Sequence, residues 1–338
     1  MGAYLLRRLV IGFFLIVGAT FITFLLTRII PSNPETLYVG RFATPEQIAR
    51  ARIELGLDKP WYIQYWRYLS GLFEGNWGIS LRTHRPVTKE LLERLPASLE
   101  LIVVGMTLGF ASGVLIGLIC AARPNSFLDN IARVVAVSGV ALPQFWFAMI
   151  LQLVFGKVLG LLPLVGRIDL RIAMLNPVPQ VTGFLMIDSI LAKDFSALKS
   201  ALTHLVLPAL SVAMYPMAMS TRLIRAKVLE ILGEDFIRTA RAFGIPEHRV
   251  FARHALRNAL GPIVTMGALS FVFTLIGTFL VESIFGWPGI GSYTAESILS
   301  NDYPVVMSIV TVVSLATIVL NLLADLILAW LDPRIRLG

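Results

Sequence analysis

The chain is poor in charged residues and in cysteine. Only 15% of its 338 residues are charged, 56% are hydrophobic, and the mean hydropathy is +0.76. A soluble domain carries about 25% charged residues, so this chain cannot cover itself with polar surface. Disorder needs low hydrophobicity and is excluded, and the single cysteine, Cys120, excludes a disulfide scaffold. A polytopic membrane protein remains.

The chain also lacks the residue patterns of an active site. There is no Gly-x-x-x-x-Gly-Lys-Ser/Thr phosphate loop, so nucleotide hydrolysis by that route is excluded. A Gly-Ile-Gly-Ser string at 289–292 resembles a nucleophile turn, but nothing supplies a matched base. His204 enters an apolar run without a nearby acid, which favours a hydrogen-bonded helix-end residue over a proton relay. We therefore predict no catalytic residue, cofactor or metal in this chain, because its four histidines also lack ligand spacing: His84, His204, His248 and His254.

Six uncharged runs are each long enough to cross about 30 Å of hydrocarbon as a helix. No period-two alternation typical of membrane strands is visible, so the predicted fold is an all-α polytopic bundle of six transmembrane helices. The runs contain no carboxylate, which argues against the out-of-class alternative of an ion-driven secondary transporter or a channel. They are Leu9–Thr27, Leu101–Ala122, Val134–Gly156, Ser200–Thr221, Asn258–Val281 and Tyr303–Ala324.

The distribution of Lys and Arg predicts the orientation. Six spans place both termini on one side, and that side carries 14 Lys and Arg residues. The opposite side carries five once the segment 28–100 is set aside, because loops of more than about 60 residues translocate largely regardless of charge. Both termini are therefore predicted to be cytoplasmic, with the first run uncleaved. The net charge of +8 then reports topology and not nucleic-acid binding.

The outer segment 31–98 is predicted to form a small helical extracytoplasmic cap. Thr44 followed by Pro45 is typical of a helix start, and a short helix is expected over 47–57, ending at Gly56. The Trp- and Tyr-rich stretch 61–68 favours either an interfacial helix on the outer leaflet or the core of a small subdomain.

Glycines at a spacing of four mark the second run. They share one helix face and leave a groove into which another helix can press. The partner helix is not specified: it belongs to this chain or to another. The predicted packing glycines are Gly105, Gly109, Gly113 and Gly117.

The inner loop 222–257 is the longest cytoplasmic stretch. Apolar residues from Val228 to Phe236 fall on one helical face, and Gly244 followed by Pro246 is typical of one helix ending and another beginning. Two short helices joined at a glycine corner suit the docking of a cytoplasmic partner. The alternative is a solvated loop with amphipathic helices on the inner leaflet.

The loop sequence 235–262, DFIRTARAFGIPEHRVFARHALRNALGP, resembles the cytoplasmic signature loop of ABC-importer permeases of the dipeptide/oligopeptide/nickel branch. The general signature is Glu-Ala-Ala, three residues, then Gly; Arg238, Thr239 and Ala240 precede Gly244 here. LGLDKP at 55–60, ESIFGWPGIG at 282–291 and DPRIR at 332–336 agree, and the long outer loop suggests the first of the branch's two permeases. PSNP at 31–34 departs from the usual Pro-Gly-Asp-Pro.

This resemblance implies a type I importer permease that forms half of the translocation path. Its expected partners are a homologous second permease, two cytoplasmic ATPase subunits that bind ATP and Mg²⁺, and an extracytoplasmic binding protein, in a bacterial or archaeal cytoplasmic membrane. The implied substrates are di- and oligopeptides, with nickel chelates, glutathione-like compounds or oligosaccharides as alternatives. The residues implied to couple the loop to the ATPase are Asp235, Phe236, Arg238, Thr239, Ala240, Arg241, Gly244 and Ile245.

These expectations divide the chain into four parts. They are an N-terminal helix (1–30), the outer cap (31–98), the transmembrane core (99–330) with the coupling loop (222–257), and a cytoplasmic tail (331–338).

Overall fold

The computed structural model describes residues 2–29, 34–40 and 42–331, and the regular elements in these residues are helices joined by turns and loops. Two further segments, Gln152–Val158 and Val250–Leu256, are π-helical, and Ile79 and Pro86 form an isolated β-bridge. The predicted all-α class is confirmed. The α-helices are α1 (Gly2–Ile29), α2 (Pro34–Val39), α3 (Pro45–Glu54), α4 (Trp61–Phe73), α5 (Val87–Ala122), α6 (Phe127–Ala141), α7 (Gln144–Leu151), α8 (Leu170–Leu175), α9 (Leu185–Leu191), α10 (Phe195–Leu232), α11 (Asp235–Ala242), α12 (Glu247–Arg249), α13 (Arg257–Ile284), α14 (Ile290–Leu299) and α15 (Tyr303–Leu331).

Four helices among the described residues are long and apolar enough to span a membrane. They coincide with the first, second, fourth and sixth predicted runs: Leu6–Thr27, Val87–Ala122, Phe195–Leu232 and Tyr303–Ile327. The fifth run falls in α13, a helix of 28 residues, and within the described part of that helix the apolar stretch is Phe273–Ile284. The prediction of six spans is compatible with these four helices, although the number of spans differs.

The third predicted run is not one straight helix. It is divided into α6 and α7, which meet at an angle of 110°. The break lies at Leu142 and Pro143, both extended, because proline has no N–H to donate and disfavours a helical residue before it. Counted together, the bent pair makes a fifth span.

The chain divides into two compact units. Unit 1 consists of Met1–Ser98 and Pro288–Ile318, and unit 2 of Leu99–Trp287 and Val319–Gly338. The core of unit 1 packs Val87 and Leu91 of α5 with residues of α14 and α15, Tyr293 and Val305 among them. The buried Tyr293 hydroxyl donates to the carboxylate of Glu90, which is also buried. The pKa of Tyr293 is raised by burial and then by Glu90.

The outer segment contains the two predicted helices. Thr44 caps α3 through a reciprocal capping box with Gln47, and Gly56 beyond its end has φ +68°. In α4, the Tyr65 hydroxyl donates to the Val17 carbonyl at 2.8 Å. Val17 lies in the middle of the apolar run of α1. Helix α4 therefore packs against the side of α1 and is not confined to the region past the C-terminal end of α1.

The four packing glycines of α5 face α10 within unit 2. A Cβ on Gly105 or Gly109 would lie 2.6 Å from Val212 or from the Ala213 carbonyl oxygen. At Gly113 the nearest atom, the Ser220 hydroxyl, would be 1.9 Å away, and at Gly117 it would be an Ile224 atom at 2.9 Å. The helix that presses into the glycine face is therefore one of the same chain.

Candidate functional site

The candidate coupling loop consists of α11, the turn after it and α12. The Ile245 N–H donates to the Ala240 carbonyl and the Gly244 N–H to that of Arg241, at 3.2 and 2.9 Å. These two bonds form a Schellman motif, and Gly244 has the left-handed φ, +74°, that the motif requires. Pro246 then caps α12. The chain therefore reverses at Gly244 on a conformation that glycine adopts without strain.

The helix upstream of this corner differs from the prediction. The apolar face expected over 228–236 is interrupted, since α10 ends at Leu232 with Gly233 as its C-cap and α11 begins at Asp235 with Glu234 as its N-cap. The break places α11 on its own, as an eight-residue helix between two turns.

Of the two apolar coupling residues that the resemblance implies on α11, Phe236 and Ala240, only Phe236 is exposed. Ala240 is buried against its own chain together with Ile237. The exposed rings are Phe236, 44% exposed, and Phe243, 82% exposed. Sequence reasoning missed Phe243, although a large apolar residue directly before a helix-ending glycine, on an otherwise polar helix, was a usable signal.

The charged residues of the loop pair with each other. Arg238 lies 3.2 Å from Asp235, and both side chains are largely exposed. Arg241 Nε donates to Glu247 Oε1 at 2.7 Å, which links α11 to α12 across the Gly244 corner. Exposed pairs of this kind contribute about 0–1 kcal/mol. Of the two pairs, only Arg241–Glu247 joins α11 to α12; the Arg238–Asp235 pair lies within α11. The exposed Thr239 hydroxyl donates to the Asp235 carbonyl, and Ile245 is half-buried.

The loop rests on a packed base in unit 2. Ile224 and Val228 of α10 pack with Ala121 of α5 and with Ala255 and Ala259 beyond the loop. Between this base and the corner lies a groove of about 720 Å³, whose lining includes Leu118, Leu232, Arg241, Glu247, His248 and Phe251.

A buried ion pair holds α10 just above the loop. Arg225 Nε and Nη2 donate to the two carboxylate oxygens of Asp129, at 2.6 and 2.8 Å. Asp129 is fully buried near the start of α6 and also accepts from the Asn125 N–H. Two-pronged pairing of this kind fixes both position and angle, so movement of α10 at the loop would be transmitted to α6.

The described residues hold no group of three or more His, Cys, Asp or Glu side chains arranged for a metal ion. His204 Nδ1 lies 2.8 Å from the Ser200 carbonyl oxygen one turn earlier in α10, as expected for a hydrogen-bonded histidine, although it lies within the helix and not at its end. His248 lines the groove, and the His84 ring contacts the edge of Tyr38. The predicted strings 31–33 and 332–336 lie outside the described residues, as does the side chain of His254.

Comparison with known proteins finds similarity along the whole chain. The family described as binding-protein-dependent transport system inner membrane component matches residues 113–337, and its N-terminal counterpart matches residues 1–102. A probable D,D-dipeptide transport system permease protein of Escherichia coli is 40% identical over 99% of this chain and 98% of its own length. A dipeptide transport system permease protein of Alkalihalophilus pseudofirmus is 38% identical over 99% and 100%. A glutathione transport system permease protein of Salmonella paratyphi A is 33% identical over 98% of both.

Proposed function

The chain belongs to the family of binding-protein-dependent transport system inner membrane components, and we propose that it is the permease subunit of an ATP-driven importer for di- and oligopeptides. The observation that carries the proposal is full-length similarity, at 38–40% identity, to permeases named for dipeptides. The chain is a multi-pass membrane protein with long apolar helices and supplies half of the translocation path.

The importer needs subunits that this chain does not contain. We infer a homologous second permease, two cytoplasmic ATPase subunits that bind ATP and Mg²⁺, and an extracytoplasmic binding protein that delivers the substrate. The sequence has no phosphate loop of its own, so the energy comes from ATP hydrolysed in the partner subunits. ATP then biases the population of inward- and outward-open arrangements.

The docking surface for the ATPase is the exposed face of α11 and its corner. Phe236 and Phe243 protrude from it as apolar anchors, and aromatic residues of this kind dominate binding energy when a partner buries them. Asp235, Arg238 and Thr239 surround them as a polar rim. Arg241 and Ile245 hold the turn at Gly244, and Ala240 seats α11 on its base, so these three act by positioning the surface.

The orientation follows from the same surface. A loop that docks on a cytoplasmic ATPase must face the cytoplasm, which agrees with the excess of Lys and Arg on the side of the termini. Both termini are then cytoplasmic, and segment 31–98 belongs to the extracytoplasmic side, with its helix α4 packed beside the apolar part of α1.

Phe243→Ser tests the docking surface. Because the ring is mostly exposed, its removal leaves folding intact. We expect ATP hydrolysis in proteoliposomes to lose most of its stimulation by loaded binding protein, and uptake to fall in parallel. Phe42→Ser removes a fully exposed ring from the outer segment and is the matched control. Full stimulation and uptake in Phe243→Ser would refute the docking assignment.

A second pair of variants tests the corner. Ala in the left-handed region costs about 1–2 kcal/mol, so Gly244→Ala should weaken coupling. Gly233→Ala changes a glycine of the same loop with φ −82° and should not. Equal activity of the two variants would contradict a role for the turn conformation.

The substrate is tested separately, on the binding protein. Mass spectrometry of ligand that co-purifies with it should detect short peptides. The glutathione permease relative keeps glutathione-like compounds as the second candidate, and nickel chelates or oligosaccharides would be recognised in the same measurement.

A further inference from the structure

An apolar groove of about 600 Å³ lies within unit 1. Its walls come from α1, α4 and α15, including Phe13, Val17, Trp66, Leu69, Phe73 and Leu315. None of the residues proposed above for the ATPase contact lines this groove.

Two tyrosines fix the position of α4 against the other two helices. The Tyr65 hydroxyl donates to the Val17 carbonyl, and the Tyr68 hydroxyl lies 2.8 Å from the hydroxyl of Thr311. Residues three apart share a helix face, so one face of α4 is attached to both helices. Burial raises the pKa of Tyr68 to about 12, as expected for a hydroxyl held away from water. The groove is therefore a fixed feature of these three helices.

The exposed part of α4 at and beside the groove is unusually apolar for a surface in water. Trp66 is 70% exposed and Phe73 is 81% exposed, and Trp61 and Tyr62 beside them are also exposed. The neighbouring face of α1 is similar, with Phe14 67% exposed. An uninterrupted apolar surface of this kind marks contact with a partner or with lipid. Here it continues onto two helices that span the membrane, so the groove opens toward hydrocarbon.

We propose that this groove binds an acyl chain of a membrane phospholipid. The polar groups of the lining are few and already engaged, since Ser70 donates to the Arg67 carbonyl and Thr311 to the Met307 carbonyl. A peptide segment would leave its backbone groups without partners there, at a cost that an acyl chain does not incur. Glu74 is the one charged side chain of the lining. It suits the ammonium headgroup of phosphatidylethanolamine and repels an anionic headgroup.

The test uses the full-length protein in nanodiscs that contain phosphatidylethanolamine with a diazirine at the end of one acyl chain. After irradiation, mass spectrometry should locate adducts on the groove segments of α4 and α15 at a several-fold higher yield than on the outward face of α1 around Phe14. A yield no higher than that of Phe14 would mean ordinary bilayer contact and would overturn the proposal.

Variants of the groove give a second readout. Leu315→Trp or Leu69→Trp fills the groove and should lower its adduct yield at least fivefold. Leu323→Trp changes an exposed leucine further along α15, outside the groove, and should leave the yield unchanged. If the filled variants label like the wild type, no acyl chain occupies the groove. Stronger labelling by a free fatty-acid probe, or a crosslink to a protein subunit, would also overturn the assignment.

Glu74→Gln tests the headgroup. The wild type should label more strongly with the phosphatidylethanolamine probe than with a phosphatidylglycerol probe, and the variant should lose that preference. An unchanged preference would remove Glu74 from the site.

Discussion

The packing of α5 on α10 predicts a large effect from one added methyl group. A Cβ on Gly113 would lie 1.9 Å from the Ser220 hydroxyl and 2.5 Å from the Met217 carbonyl oxygen. Ordinary van der Waals contact begins at 3.4 Å. Ser220 can change rotamer, but the Met217 oxygen belongs to the helix backbone and moves only if α10 moves. Gly113→Ala therefore forces the two helices apart.

The magnitude follows from two opposing contributions. Overpacking a close contact costs about 1–3 kcal/mol, while alanine is favoured over glycine within a helix by about 1 kcal/mol. We expect Gly113→Ala to destabilise the fold by up to about 2 kcal/mol. The matched control is Gly18→Ala in α1, where nothing lies within 4 Å of the added methyl group, so only the stabilising contribution applies. The two variants should differ by about 1–3 kcal/mol, since the helix-propensity contribution is common to both.

The assay is denaturant unfolding of the purified protein in detergent micelles, followed by tryptophan fluorescence. Ser220→Ala in the Gly113→Ala background removes the 1.9 Å contact but leaves the one at 2.5 Å. The double mutant should therefore recover part of the loss, with a coupling energy above about 0.5 kcal/mol in a double-mutant cycle. If Gly113→Ala is as stable as Gly18→Ala, the helices are not held at this separation and the reasoning is wrong.

Three further predictions concern other contacts. Arg225→Met leaves the carboxylate of Asp129 buried without its Arg225 partner and should destabilise the fold by about 3 kcal/mol. Arg225→Met combined with Asp129→Asn should recover most of the loss in the same unfolding assay. A double variant as unstable as Arg225→Met alone would count against the pair. Asp188 is buried, which opposes its ionisation, but hydrogen bonds from Thr182 and Gly183 outweigh burial and hold its pKa below the usual value. The contribution of Asp188 to stability is therefore complete above the ordinary Asp pKa and is lost as the pH falls through the lowered pKa of Asp188. Asp188→Asn should make the stability less dependent on pH in this acidic range, and an unchanged pH profile would exclude the mechanism. Thr44→Ala removes the capping box of α3 at a cost of about 1 kcal/mol, which hydrogen exchange should detect as faster exchange confined to residues 45–54.

Features that depend on local chemistry could be predicted from the sequence. The Gly244 corner requires only that a glycine adopt φ > 0 before a proline that opens the next helix, and both residues are visible in the chain. The start of α3 follows in the same way from Thr44, Pro45 and Gln47. The long apolar runs locate four spans because length and hydrophobicity are properties of the segment itself.

Features that depend on tertiary contacts could not be predicted in the same way. The glycine spacing on α5 indicated a close helix contact, but its partner α10 lies about a hundred residues further along, and the spacing does not identify it. The bend between α6 and α7 has a visible cause in Pro143, yet proline is tolerated in membrane helices when neighbours satisfy the freed groups. The α10 helix shows this, because it continues through Pro208 and Pro216. Whether a proline breaks a span is decided by what packs around it.

The coupling surface shows the same division at the scale of single residues. The sequence places Phe236, Ala240 and Phe243 on one short helix, and hydrophobicity alone makes all three candidates for a partner contact. Which of them is available depends on how α11 lies on its base, and the base comes from α5, α10 and residues beyond the loop. Because Ile237 and Ala240 occupy the inward face, Phe236 and Phe243 are left exposed beside it. A residue can bind a partner only if the packing of its own chain leaves it exposed. The interface can therefore be identified only after the internal contacts are known.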